Sequence, residues 1–250
     1  MAHTNSNQYK VVIVTGASRG IGAATAKLLG SQGYGVCVNY HKQLEAAEQV
    51  VTDIKLAGGQ AIAIQADVSK EADVVRLFAE TTQQLGTVTH LVNNVGVLFT
   101  QSKLVDLSIE RFNTVMTTNV TSCFLCCREA IKTMQAGCAI VNVSSAASRS
   151  GAPNEYVDYA ASKGAMDSLT KGLSLEVAAD GIRVNAVRPG CIYTDMHADG
   201  GEPNRVDRLS SQIPLQRGGT PEEVAEAIAW LLSDAASYVT GSFIDLAGGR

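Results

Sequence analysis

An α/β fold, with a doubly wound parallel sheet of about seven strands and helices on both faces, follows from three features of this sequence. Short β-branched apolar runs alternate with longer amphipathic segments along all 250 residues. The apolar runs are continuous rather than alternating, as strands buried on both faces are. Strands that alternate with helices must be joined by crossovers, and right-handed crossovers place helices on both faces of one parallel sheet.

The elements come in order. Val11–Val14 is a β-branched strand ending at Thr15-Gly16, and a helix over Gly20–Gln32 sets Ile21, Ala24, Leu28 and Leu29 on one face. A strand at Gly35–Asn39, a helix at Leu44–Leu56 and a strand at Ala61–Gln65 follow. A helix at Glu71–Leu85 leads to a strand at Val88–Asn93. Two long helices, Ile109–Met134 and Val157–Ala179, flank a strand at Ala139–Val143. A strand at Ile182–Val187, a helix at Glu222–Leu232 and a strand near Ser242–Leu246 finish the chain. Residues 1–9 read as a flexible tail and 10–250 as one domain. The stretch from Tyr193 to Gly219 has no clear period, and an aperiodic loop of that length predicts a lid over a site.

Composition narrows the functional classes. A net charge of −4, no basic stripe and only 5% aromatic residues argue against nucleic acid, whose binding rests on neutralised phosphates. No apolar run approaches the roughly 18 residues of a membrane span. The polar start, Met1 to Tyr9, lacks the apolar stretch of a signal peptide. The six cysteines are scattered, and Cys123-x-x-Cys126 has neither a second pair nor a nearby histidine, so buried packing is expected there rather than a metal. The expected location is the reducing cytoplasm.

Chemistry concentrates in two places. Thr15-Gly16-Ala17-Ser18-Arg19-Gly20-Ile21-Gly22 sits where the first strand turns into the first helix. Free backbone N–H groups and the helix dipole hold a pyrophosphate there, and glycines let the backbone approach it. An NAD site would place an acid at the end of the second strand, to grip the ribose 2′-hydroxyl. This strand ends Asn39-Tyr40-His41-Lys42. With no carboxylate to repel a 2′-phosphate, and with Arg19, Asn39 and Lys42 to receive one, the expected cofactor is NADP(H), with NAD(H) as the alternative.

The second place is Tyr159-Ala160-Ala161-Ser162-Lys163, which sets a phenol and an ammonium one turn apart on one helix face. A nearby ammonium stabilises a phenolate, so Tyr159 becomes a candidate acid/base. Tyr156 has Ala160 at the same offset and lacks that partner.

Together with these, Asn93-Asn94-Val95-Gly96, Asn119, Ser144-Ser145 and Pro189-Gly190 resemble, in order and spacing, the motifs of short-chain dehydrogenases/reductases, from Val11 to Gly249. The resemblance implies a Rossmann-type domain and hydride transfer between a nicotinamide and a small carbonyl or secondary alcohol. It implies Tyr159 as the acid/base, Lys163 as its tuner, Ser145 as the residue orienting the substrate and Asn119 as a proton-relay anchor. It also implies cofactor contacts from Gly16, Ser18, Arg19, Gly20, Ile21, Gly22, Asn39, Tyr40, Asp67, Val68, Asn93, Gly96, Tyr159, Lys163, Pro189, Gly190, Ile192 and Thr194. Homotetramers or dimers built through the long helices and the last strand are implied as well. Two departures stand out: Ser145 precedes Tyr159 by one residue more than the usual interval, and Val95 stands where the family usually has Ala. The alternative function is a non-catalytic NADP(H)-binding regulator, against which the complete Asn119, Ser145, Tyr159 and Lys163 set speaks.

Overall fold

A computed structural model describes residues 10–250; the expected tail at 1–9 lies outside the described residues. Seven strands form one sheet in the order β3-β2-β1-β4-β5-β6-β7, with every neighbouring pair parallel. They are β1 (Val11–Val14), β2 (Gly35–Tyr40), β3 (Gln60–Gln65), β4 (His90–Asn93), β5 (Ala139–Val143), β6 (Arg183–Pro189) and β7 (Phe243–Leu246). The expected doubly wound class is the one observed.

Helices α1 (Gly20–Ser31) and α2 (Leu44–Leu56) follow the first two strands, and α3 (Glu71–Leu85) follows the third. After β4 come α4 (Ile109–Met116), α5 (Ser122–Ile131), the short α6 (Ala147–Ser150) and the long α7 (Val157–Glu176). Two short helices, α8 (Met196–Asp199) and α9 (Arg205–Ser210), precede α10 (Pro221–Leu232). Two apolar layers result, α1, α2 and α10 packing on one face of the sheet and α3, α5 and α7 on the other. None of the described helices is long and apolar enough to cross a membrane. Cys123, Cys126 and Cys127 are buried in the second layer, as packing residues would be.

Strand order reverses between β1 and β4. The βα connections of these two strands leave in opposite directions and open a crevice at their C-terminal ends, where such sheets bind ligands. This places the glycine turn, the Asn93–Gly96 turn, Ser144-Ser145 and Pro189-Gly190 on one rim.

Two elements differ from the sequence expectation. The helix expected over Ile109–Met134 is interrupted at Thr117–Thr121 by a π-helical turn. Four of those five residues are β-branched, which weakens the α-helical preference, and π turns recur where a helix must serve a site. Asn119 sits in this turn, fully buried. The aperiodic 193–219 stretch contains α8 and α9, each too short to produce a readable period.

The first turn of α7 is anchored by an ion pair. The buried Asp158 carboxylate accepts from Arg111 Nε of α4 at 2.7 Å and from the Tyr159 N–H at 2.9 Å. Removing one member of such a pair leaves a buried charge without compensation. Arg111→Met is therefore expected to destabilise the chain by about 3 kcal/mol. Urea unfolding measures this, and a midpoint unchanged from wild type would show that the pair does not hold α7.

Candidate active site

The glycine turn is shaped by constraints that only glycine meets. Gly16 and Gly20 have φ of 60° and 55°, in the left-handed region. A Cβ on Gly22 would lie 2.5 Å from Asn94 Nδ2 and 2.6 Å from the Gly16 carbonyl oxygen. Asn94, which the sequence reading passed over for its neighbour Asn93, holds the turn by donating to the carbonyls of Thr15 (2.9 Å) and Gly16 (3.0 Å). Its signal was present in the sequence as the second asparagine of the pair after β4. The first turn of α1 has no side-chain cap and no acidic residue. Its N-terminal N–H groups and positive dipole end therefore face the rim free of side-chain competitors, a fit for the phosphates of a dinucleotide. Val95 Cγ2 would lie 3.0 Å from a Cβ on Gly16, so the valine fills the space beside this glycine.

Several expected contacts are placed differently. Asn39, expected to receive a 2′-phosphate, is 1% exposed. Its Oδ1 accepts from the Gly16 N–H (3.2 Å), and its Nδ2 donates to the Ala66 (3.2 Å) and Ile64 (3.3 Å) carbonyls. Its amide thus ties β1, β2 and β3 together and leaves nothing for a ligand. Asn93, expected beside the cofactor, is buried between strands and donates to Asn142 Oδ1 at 2.9 Å. The Val68 side chain packs in the core below α3, leaving only its backbone for a ligand. Asp67 Oδ1 accepts from the Ser69 N–H (3.1 Å) and Oγ (2.6 Å), so the carboxylate closes a turn ahead of α3. Arg19 is exposed, and its guanidinium pairs with Asp199 and, at 3.9 Å, with Asp195. His41 and Lys42 are exposed at the end of β2, and Tyr40 is half-buried. Ser18 donates to Gln43 Oε1 at 3.3 Å.

On the other side of the rim, Tyr159 and Lys163 descend from α7 into the end of β5. Lys163 is buried and its Nζ donates to the Val143 carbonyl at 2.7 Å. That ammonium lies 5.6 Å from the centre of the Tyr159 ring. Burial lowers the Lys163 pKa to about 8, against the nearby Cys123 and Asp167, which raise it. Burial pushes Tyr159 up to about 12, with a side-chain hydrogen bond to Ser145 acting in the opposite direction. In the free chain, then, desolvation outweighs the expected depression of the phenol by Lys163.

Both serines line the cleft that holds Tyr159, with different partners. Ser144 is buried and donates to the Lys163 carbonyl at 3.3 Å, whereas Ser145 meets Tyr159. Between Ser145 and Tyr159 the chain turns beyond α6, where Gly151 (φ 73°), Ala152 (φ 42°) and Asn154 (φ 62°) are all left-handed. Asn119 does not touch Lys163. Its amide brackets the backbone of Val97 (2.8 and 3.1 Å) and donates to Ser162 Oγ (2.9 Å), which in turn donates to the Tyr159 carbonyl (2.7 Å). Gly96 lies between the two, since a Cβ there would be 3.3 Å from Lys163 Nζ and 3.7 Å from Asn119 Oδ1.

These groups share one cleft of about 600 Å³ that includes Ile21, Ser145, Tyr159, Lys163, Pro189, Gly190, Ile192 and Thr194. A Cβ on Gly20 would lie 3.4 Å from Thr194 Cγ2, so Thr194 closes over the glycine turn. A parallel bridge between Ile192 and Gly219 pins the two ends of the 193–219 segment together beside the cleft.

A family model described as enoyl-(acyl carrier protein) reductase matches residues 16–250. The chain is 63% identical over 245 residues to the uncharacterised oxidoreductase YgfF of Escherichia coli strain K12, covering 96% of this chain and 99% of that protein. A dehydrogenase/reductase from Sinorhizobium meliloti 1021 has a similar structure, with a TM-score of 0.91 at 34% identity over 96% of this chain and 94% of that one. A short-chain dehydrogenase from Burkholderia cenocepacia J2315, solved in complex with NADP, gives a TM-score of 0.89 at 33% identity over 98% and 99% of the two chains.

The buried ammonium provides a pH test. A lysine titrates near 10.4 in an unfolded chain, and in the folded chain burial brings Lys163 down to about 8. Between those values the unfolded state holds more protons at this position. The Lys163 contribution to unfolding free energy therefore rises with pH across the window, by up to about 1.4 kcal/mol per pH unit. The buried thiols of Cys37 and Cys126, both raised by burial, act in the opposite sense, so the comparison needs a variant that keeps them. Urea unfolding of wild type and Lys163→Met at about pH 8 and about pH 10 should show wild type gaining relative to the variant. A difference independent of pH would count against the lowering of the Lys163 pKa by burial.

Proposed function

The chain belongs to the short-chain dehydrogenase/reductase family and is an oxidoreductase of it, and we propose that it transfers a hydride between NADP(H) and a small carbonyl or secondary alcohol, with Tyr159 moving the proton. One observation carries this reading: Tyr159, Ser145 and Lys163 line a single cleft that also includes Ile21 of the glycine turn. When bound, the nicotinamide supplies or accepts the hydride.

The residues divide the remaining work. The N–H groups of Gly20, Ile21 and Gly22 at the start of α1 hold the pyrophosphate. Ile192 and Thr194 border the nicotinamide end, and Pro189-Gly190 fixes their approach. Gly190 leaves no room for a side chain there, because a Cβ would meet Ala247 Cα at 2.9 Å. Ser145 Oγ orients the substrate oxygen beside Tyr159 Oη, which passes its proton to that oxygen during reduction and takes it back during oxidation. Lys163 holds the ribose and places a positive charge near the phenol. A phenol kept protonated beside an ammonium that is charged below about pH 8 suits proton delivery, the direction of carbonyl reduction. Asn119 acts by fixing Val97 and, through Ser162, the backbone of Tyr159.

NADP(H) is favoured because Asn39-Tyr40-His41-Lys42-Gln43 offers no carboxylate at the end of β2 and two exposed basic side chains. Arg19 joins them once it leaves its lid aspartates. Residues 193–219 form the lid that excludes water, and Asp67 and the Val68 backbone border the adenine. A homotetramer or dimer would cover the large apolar side chains exposed on α4, α5 and α7, such as Ile109, Phe124 and Leu175 at 63%, 44% and 67% exposure.

Kinetics with NADPH and a panel of aldehydes, ketones and alcohols, followed at the nicotinamide absorbance, test the scheme. Tyr159→Phe is expected to lower kcat by at least about 100-fold. Ser145→Ala should lose most activity while Ser144→Ala retains it, and kcat/KM should favour NADPH over NADH by at least about tenfold, as expected for a charge-assisted contact of about 1.4 kcal/mol. Near-normal turnover by Tyr159→Phe would overturn the reading.

A further inference from the structure

Two buried polar atoms on residues of the cleft have no hydrogen-bond partner: Tyr156 Oη and His197 Nδ1. Both residues line the same cleft as Tyr159. Tyr156 is 5% exposed and precedes α7, while His197 is carried by α8 in the lid segment. An unmet hydrogen bond of a buried group is unfavourable by about 1–3 kcal/mol, so two of them on one cleft point to a ligand that meets both.

The chemistry at this end is constrained further. His197 Nε2 lies 3.1 Å from the Ile192 carbonyl, which can only accept, so Nε2 carries the proton. Burial and the Arg205 guanidinium both favour the uncharged imidazole, which leaves Nδ1 as a bare acceptor. It needs a donor. Tyr156 Oη can donate or accept, and the Arg205 guanidinium lies 5.0 Å from the centre of its ring. Arg205 itself is neutralised by Glu155 at 2.5 Å and Glu202 at 3.0 Å, and Arg208 pairs with Glu202 at 2.5 Å. Two guanidiniums thus balance two carboxylates, and none of these four offers net charge for an anionic ligand.

We propose that Tyr156 and His197 form a neutral polar subsite that receives a hydroxyl group of the substrate, its hydrogen donated to His197 Nδ1 and its oxygen accepting from Tyr156 Oη. The subsite selects hydroxylated carbonyl substrates over hydrocarbon ketones and over anionic ones. It rests on the reading of this cleft as a hydride-transfer site and adds the class of substrate. A site built to hydrogen-bond a hydroxyl discriminates strongly against the analogue that lacks it, because its own polar groups are then left unmet.

The test uses matched pairs: 4-hydroxybutan-2-one against butan-2-one, and 6-hydroxyhexan-2-one against hexan-2-one. A carboxylated ketone, levulinate, serves as the anionic probe. Dissociation constants are measured by ligand-observed NMR on the full chain with NADP⁺ present, and turnover is measured separately with NADPH. In wild type, a hydroxyketone should bind at least about tenfold tighter than its parent. In Tyr156→Phe, which keeps the ring under Arg205, and in His197→Leu, that ratio should fall to within about twofold. A wild-type ratio near unity, a ratio unchanged in both variants, or tighter binding of levulinate overturns the subsite. Absent turnover with the binding preference intact overturns the hydride-transfer reading and supports the subsite.

Discussion

Burial of one ammonium organises this site. Lys163 is held away from water at the end of β5, where an uncompensated charge would be strongly unfavourable. The Val143 carbonyl meets it at 2.7 Å, and the Met166 sulfur lies 3.5 Å away. Gly96 leaves it room, since a Cβ there would lie 3.3 Å from Nζ, and Ser144 bonds the Lys163 backbone while the next residue, Ser145, meets Tyr159. The end of β5, the first turns of α7 and Gly96 thus all pack around the place where that charge is kept.

A second constraint acts across the crevice. Asn39 and Asn94 place their amides on the backbone of the glycine turn from β2 and β4, so the strands flanking β1 fix the turn between them. These amides are structural, though their sequence positions border the dinucleotide site. The distinction matters for cofactor preference. With Asn39 committed to the backbone, the proposed NADP(H) preference depends on the missing carboxylate and on Arg19 and Lys42.

The fold class was legible because strand and helix periods differ and the chain alternates them consistently. The locations of Tyr159, Lys163 and the glycine turn were legible because each depends on local spacing along one element. Side-chain direction was not. Asn39, Asn93 and Val68 stand beside residues that face the rim, but strand alternation and the packing of neighbouring layers turn them inward. The π turn at Thr117–Thr121 also escaped, since one extra residue in a helical turn barely disturbs an apolar period. Asn119 was found by its place in a motif, yet its actual partners, Val97 and Ser162, are set by tertiary contact and carry no sequence signal.

The bridge between Ile192 and Gly219 has a consequence for how such a chain diversifies. It closes the 193–219 segment at its base, so the segment leaves after β6 and returns to the start of α10 at one fixed point. Loop-closure entropy grows only slowly with length, about 0.6 kcal/mol per doubling. Length changes between α8 and the clasp at Gly219 are therefore tolerated, whereas Thr194, Asp195 and Asp199 stay tied to the glycine turn through Gly20 and Arg19. The chemistry is inherited with the sheet, while the chemical repertoire can drift with the segment above it.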